Sequence, residues 1–166
     1  MKIFIKIFLF ISIVSVITLQ SCFEFENYPP EPEITFMEFT FIDSIGFNHI
    51  LRGELKFSFV DGDGNIGFGL DTPVQNTIFI KKYQIINNKS VPIDLAIEPN
   101  YAIQKFSTSG DRKPLKGEIV IKSLDEIPPI NPNDTIMYKF YIVDRDYNYS
   151  NVDSTGYLIL GDYLNK

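Results

Sequence analysis

From residue 33 onward the apolar positions recur at a spacing of two, and no window sustains the three-to-four spacing of an amphipathic helix. The clearest run is 51–60, where Leu51, Gly53, Leu55, Phe57 and Phe59 alternate with Arg52, Glu54, Lys56 and Ser58. Successive side chains of a strand point to opposite faces, so this run predicts a strand with one buried and one solvated face. Runs rich in Ile, Val, Phe and Tyr at 34–42, 77–86, 115–124, 135–144 and 154–160, with a weaker one at 93–106, are separated by Gly, Pro, Asn and Asp clusters. Six or seven strands in about 130 residues predict a single all-β domain over 34–166, a β-sandwich. Within 34–42, Phe36 is out of phase with Phe39 and Phe41, which predicts a bulge or a switch between sheets.

The first residues follow another pattern. Lys2 and Lys6 precede an apolar run, 7–19, interrupted only by Ser12, Ser15 and Thr18. A helix rises ~1.5 Å per residue, so this run falls short of the ~30 Å hydrocarbon core that a permanent span must cross. Its place at the start of the chain, its basic flank and the polar sequence after it predict an export signal over 1–21 rather than a core helix. The run ends in Leu19, Gln20, Ser21 and Cys22, which resembles the lipobox of bacterial lipoproteins, with Gln20 departing from the commonest pattern. That resemblance implies cleavage before Cys22, a diacylglycerol on its thiol and an acylated amino group, hence durable anchoring, because two or more chains hold where one is marginal. The competing expectation is an ordinary secretory signal with an incidental Cys.

Residues 22–33 then form the lipidated Cys and a tether, FEFENYPPEPE, in which Pro29, Pro30 and Pro32 favour extended, stiff backbone. Glu24 and Glu26 resemble the surface-export signal of lipoproteins in the Bacteroidota.

Composition narrows the function. The full chain carries 15 Lys and Arg against 21 Asp and Glu, a net charge of −6. Removing Lys2 and Lys6 with the signal leaves 13 basic residues against 21 acidic, or −8. That sign excludes gripping a phosphate backbone through electrostatics, so nucleic acid is not an expected partner. It also repels an anionic leaflet, which leaves the lipid to hold the protein. One Cys and one His exclude an intrachain disulfide and multi-Cys or His-rich metal sites.

Two acidic loops carry what chemistry there is. Asp61, Asp63 and Asn65 alternate in DGDGNIG, and Asp144, Asp146 and Asn148 alternate in DRDYNYS. Hard cations such as Ca²⁺ take six to eight oxygen ligands, and alternating carboxylates and amides in a turn can wrap one ion. The first loop departs from an EF-hand, with Gly67 at position seven and Thr72, not Glu, at position twelve. Asp, Asn and Gly also make ordinary turns, so turn chemistry is the first reading of either loop alone. If the two preceding strands are the second and sixth of an immunoglobulin-like sandwich, both loops emerge at one end and their four carboxylates gather. Like charges so gathered either bind a cation or splay into water.

Tyr147 and Tyr149 in the second loop can stack on sugar rings or pack against the loop itself. His49, in a turn without another His or Cys, reads as a solvated loop residue. Ser107, Thr108 and Ser109 lack a base and an orienting group. Asp125 and Glu126, beside Pro128 and Pro129, read as a surface connection rather than a glycosidase pair.

Ile130, Pro132, Thr135 and Tyr138 in INPNDTIMYKFYIVD resemble the approach to the sixth strand of fibronectin type III domains. The resemblance implies a Tyr closing a corner, with Tyr138, Phe140 and Ile142 facing the core; the Trp common in that family is absent. The lipobox, the YPPEPEI tether, FSFVDGDGNIG and YIVDRDYNYSN together resemble small Bacteroidota lipoproteins. This implies an immunoglobulin-like fold and a bacterial outer-membrane or cell-surface location, and no activity. The sequence thus predicts a non-enzymatic, lipid-anchored envelope lipoprotein acting as an interaction or accessory module toward an envelope protein, with Ca²⁺ as its one candidate cofactor. The alternative is a surface glycan-binding module.

Overall fold

In a computed structural model, residues 28–44, 50–69, 73, 75–105 and 113–164 are described. The expected signal, Cys22, the start of the tether, His49, Thr72 and Ser107 to Ser109 lie outside the described residues.

The described strands are β1 (Glu33–Ser44), β2 (Ile50–Asp61), β3 (Ile78–Ile86), β4 (Lys89–Pro92), β5 (Leu115–Lys122), β6 (Thr135–Ile142), β7 (Asp153–Ser154) and β8 (Leu158–Ile159), followed by a 3-10 turn at Leu160–Tyr163. They form two antiparallel sheets, β1-β2-β5 and β4-β3-β6-β7, with β8 also pairing along β6. With β1, β2 and β5 as strands A, B and E, and β3 and β6 as C and F, this is an immunoglobulin-like β-sandwich with an extra edge strand beside C and, among the described residues, no D strand.

The alternation read from the sequence sets the core. Leu51, Leu55, Phe57 and Phe59 of β2 are buried, as are Ile136, Tyr138, Phe140 and Ile142 of β6. The rings of Phe57 and Phe140 meet across the two sheets at 5.0 Å, and Phe39 of β1 stacks on Tyr138 at 5.4 Å. The register of β1 against β2 shifts between Phe36 and Glu38, so Met37 is the extra residue of a bulge that returns Phe39 and Phe41 to the core face.

Over its described residues, 93–105, the weak run expected at 93–106 forms no strand; Tyr101 and Gln104 make isolated bridges to Ile78 and Phe68. The fourth strand is instead β4, all of it exposed. Asn87 and Asn88, both at positive φ (51° and 61°), supply the tight turn that sends the chain back along β3. The run at 154–160 divides into β7 and β8 around Gly156 at φ 71°.

The free edge of β1 is covered by side chains. Asn151 Oδ1 accepts from Ile34 N at 2.8 Å while Asn151 Nδ2 donates to Ile34 O at 3.0 Å, and Asp153 Oδ2 accepts from Phe36 N at 2.6 Å. These bonds satisfy an otherwise open edge and tie the second sheet to the first.

Candidate functional site

β2 and β6 both run toward the same end of the sandwich, and each carries its inward phase one step past its last apolar residue. Asp61 follows Phe57 and Phe59 on the core face of β2, and Asp144 follows Phe140 and Ile142 on that of β6. The strand period therefore turns both carboxylates inward, and both are buried, as is Asn65. Oxygens of Asp61, Asp63 and Asp144 lie within 4.8 Å of one another.

Each loop is closed by the turn chemistry its residues allow. Asp61 Oδ2 accepts from Ile66 N at 3.2 Å. Asp144 Oδ1 accepts from Asn148 N and Oδ2 from Asn148 Nδ2, both at 2.8 Å. Asn148 thus spends its amide on holding Asp144. The two loops are joined by Arg145, whose N donates to Asn65 O at 3.3 Å and whose Nη1 donates to Gly67 O at 2.8 Å. Asn65 Nδ2 reaches Asp63 Oδ2 at 2.9 Å and Asp146 Oδ2 at 3.0 Å, so Asp146 touches the group from its exposed rim.

Turn chemistry leaves a remainder. Asp61 Oδ1 and Asn65 Oδ1 are buried acceptors to which no group donates a hydrogen bond. Burial, then the neighbouring Asp63 charge, pushes the Asp61 carboxyl up to about 6; a proton shared between these two carboxyls is one way to relieve them, and a cation is another.

The chain arrives at this same end. Pro29 O accepts from Gly62 N at 2.9 Å, and Pro32 is buried. Position 62 must be Gly for this contact, because a Cβ there would lie 2.2 Å from Tyr28 O and 2.4 Å from Pro29 O. The last residues of the tether segment therefore lie against the loop between Asp61 and Asp63.

No family model, curated protein or solved structure matches this chain.

The two loop tyrosines part company. Tyr147, at φ 64°, is exposed. Tyr149, also exposed, lies 5.9 Å from the Tyr141 ring, which stacks on Phe79 at 5.1 Å. Phe79 and Tyr141 line a groove of about 310 Å³ on the outer face of the larger sheet, bordered by Lys81, Tyr83, Glu98, Asn100, Lys139 and Val152. The sequence reading missed this stripe. Its signal is in the strand period, since Phe79 and Tyr141 occupy the outward positions of runs whose inward positions are Ile78, Ile80, Phe140 and Ile142.

Proposed function

We propose that the protein is a non-enzymatic lipoprotein of a bacterial outer membrane or cell surface, anchored through lipid on Cys22, whose single immunoglobulin-like domain is an interaction or accessory module. The observation that carries this reading is the order basic start, apolar run, Leu19-Gln20-Ser21-Cys22 and Pro-rich segment. Six residue steps separate Cys22 from Tyr28, where the chain meets the domain, so the anchor and the fold lie at most about 20 Å apart along the chain. That reach keeps the acidic end of the sandwich, where the chain enters, within this distance of the lipid. Among the described residues no helix is long and apolar enough to cross a membrane, and a mature charge of −8 gives no electrostatic attraction to anionic lipid.

Cys22→Ala is therefore expected to abolish lipid attachment and move the protein from the membrane to the soluble fraction. Metabolic labelling with a fatty-acid analogue followed by fractionation reads this directly. Label that persists on Cys22→Ala refutes the lipoprotein reading.

A second reading, a surface glycan-binding module, is favoured by the Phe79, Tyr141 and Tyr149 stripe. Sugar rings stack on flat aromatic faces while a phenol tip offers a hydrogen bond. On this reading retardation in polysaccharide-containing gels is lost on Tyr141→Ala and weakened on Tyr149→Ala, with Tyr147→Ala close to wild type. Equal retardation of all three variants and the wild type removes the stripe as a binding surface.

A further inference from the structure

We propose that Asp61, Asp63, Asn65 and Asp144 hold one Ca²⁺ ion that joins the loop after β2 to the loop after β6 at the end where the chain enters the domain. The acidic cluster alone would not carry this, because exposed carboxylates gather at loop ends without any ion. Two further facts do. Asp61 and Asn65 are fully buried and Asp144 is 1% exposed, so the loops do not relieve their repulsion by spreading into water. Moreover Asp61 Oδ1 and Asn65 Oδ1 are buried oxygens without a donor. Native interiors rarely leave such acceptors unmet, and a cation meets several at once.

Asn65 is the independent member of this set. It is neutral, it lies in the first loop, and its amide nitrogen is already engaged by Asp63 and Asp146. That bond fixes the amide beside the carboxylates and leaves its oxygen as an acceptor. Four side chains then supply at least four oxygens, and water completes the six to eight that Ca²⁺ takes.

The choice of ion follows from size and hydration. Opposite oxygens around Ca²⁺, each at 2.3–2.6 Å, are roughly 4.6–5.2 Å apart, whereas around Mg²⁺ they are about 4.0–4.2 Å apart. The carboxylate oxygens all lie within 4.8 Å of one another, inside the span that the ligands of one Ca²⁺ cover. Mg²⁺ also surrenders its water reluctantly and demands near-ideal octahedral geometry, which side chains already fixed by two closed loops do not supply. Three carboxylates and one amide oxygen, with no thiol or imidazole, are hard donors suited to Ca²⁺ over zinc or copper. The ion's role is structural, since it would tie two loops together where Asp61 and Asp144 end the core.

The test uses the full chain extracted in detergent and stripped with EDTA. Ca²⁺ at a hundredfold excess over its Kd is expected to raise the melting temperature on the order of 10 °C, and Mg²⁺ at the same concentration by much less. Asp61→Asn and Asp63→Asn are each expected to lose most of the shift, while Asp94→Asn, at an exposed Lys81 pair on another face, keeps it. Stripped Asp61→Asn is expected to melt no lower than the stripped wild type, because the substitution removes one buried like charge and retains an acceptor for Ile66 N. That comparison separates lost binding from lost folding, and the half-exposed Asp63 gives a second variant. No shift at millimolar Ca²⁺, an equal shift with Mg²⁺, or a full shift in both cluster variants overturns the assignment.

Discussion

Phe57→Ala is expected to cost the folded state roughly 3–5 kcal/mol, the range for truncating a fully buried aromatic ring. Phe57 lies on β2, between β1 and β5 in the smaller sheet, and its ring meets Phe140 of the opposite sheet at 5.0 Å. Neither neighbour can close the space. Phe140 is on β6, which is held by β3 on one side and β7 on the other, so the cavity persists and its lining loses dispersion contacts. Lys56, one residue earlier, faces outward and pairs with Glu118 at 2.7 Å, and Lys56→Ala is expected to lose only a small fraction of the Phe57 effect. Denaturant midpoints at unchanged slope measure both changes. A larger loss for Lys56→Ala than for Phe57→Ala contradicts the strand phase, because a slip of one residue exchanges the two faces.

That phase is the part of the fold most legible in the sequence. β2 alternates from Leu51 onward and β6 from Tyr138 onward, Met137 being buried out of phase, and the out-of-step Phe36 announced the bulge at Met37. β4 escaped because all four of its residues are exposed; an edge strand with no core face carries no alternation to read. The run at 93–106 looked strand-like from its scattered apolar residues. Its backbone instead bonds piecemeal, as when Ile103 N donates to the Thr77 hydroxyl at 2.8 Å, and such pairing leaves no period in the sequence.

The candidate site was legible by motif and also by phase. The two D-x-D-x-N loops were visible, and the topology did bring Asp61, Asp63 and Asp144 together. Motif alone treats Asp61, Asp63 and Asp146 alike. Extending the inward phase of β2 and β6 by one position separates them, placing Asp61 and Asp144 at the end of the core and leaving Asp146 at the rim. Asn148 was beyond such reading, because its role as the partner of Asp144 depends on how the second loop closes.

Glu126 shows the same principle at the connection before β6, which the sequence presents as a polar surface segment. The backbone of Glu126 bridges to Leu51 at the start of β2, and its side chain crosses to the other sheet. There Lys82 of β3 contacts both carboxylate oxygens, at 2.5 and 2.6 Å, and the Tyr138 hydroxyl donates to Oε1 at 2.8 Å. Lys82 and Tyr138 are register partners, and Lys82 is in phase with the buried Ile78 and Ile80, which is the signal that a Lys here faces inward. Burial, then the Glu126 charge, holds the Tyr138 phenol well above its ordinary range, so it stays a donor. The Tyr138 hydroxyl, which the fibronectin resemblance implies as the closing group of a corner, here bonds to the Glu126 carboxylate.

Glu126→Ala is expected to cost about 2–3 kcal/mol, because it strands the Lys82 ammonium and the Tyr138 hydroxyl together. The figure lies below that for a fully buried pair because the Lys82 and Glu126 side chains remain 13% and 12% exposed, so water takes over part of the lost bonding. Tyr138→Phe removes one neutral donor and is expected to cost roughly 1 kcal/mol. Lys82→Met combined with Glu126→Ala is expected to cost less than the sum of the single changes, since the second substitution removes the charge that the first leaves without its partner. A double-mutant cycle on denaturant midpoints reads the coupling. Additive costs would mean that Glu126 and Lys82 do not act as a pair, and that Tyr138 and the bridge to Leu51 alone hold this connection against the sandwich.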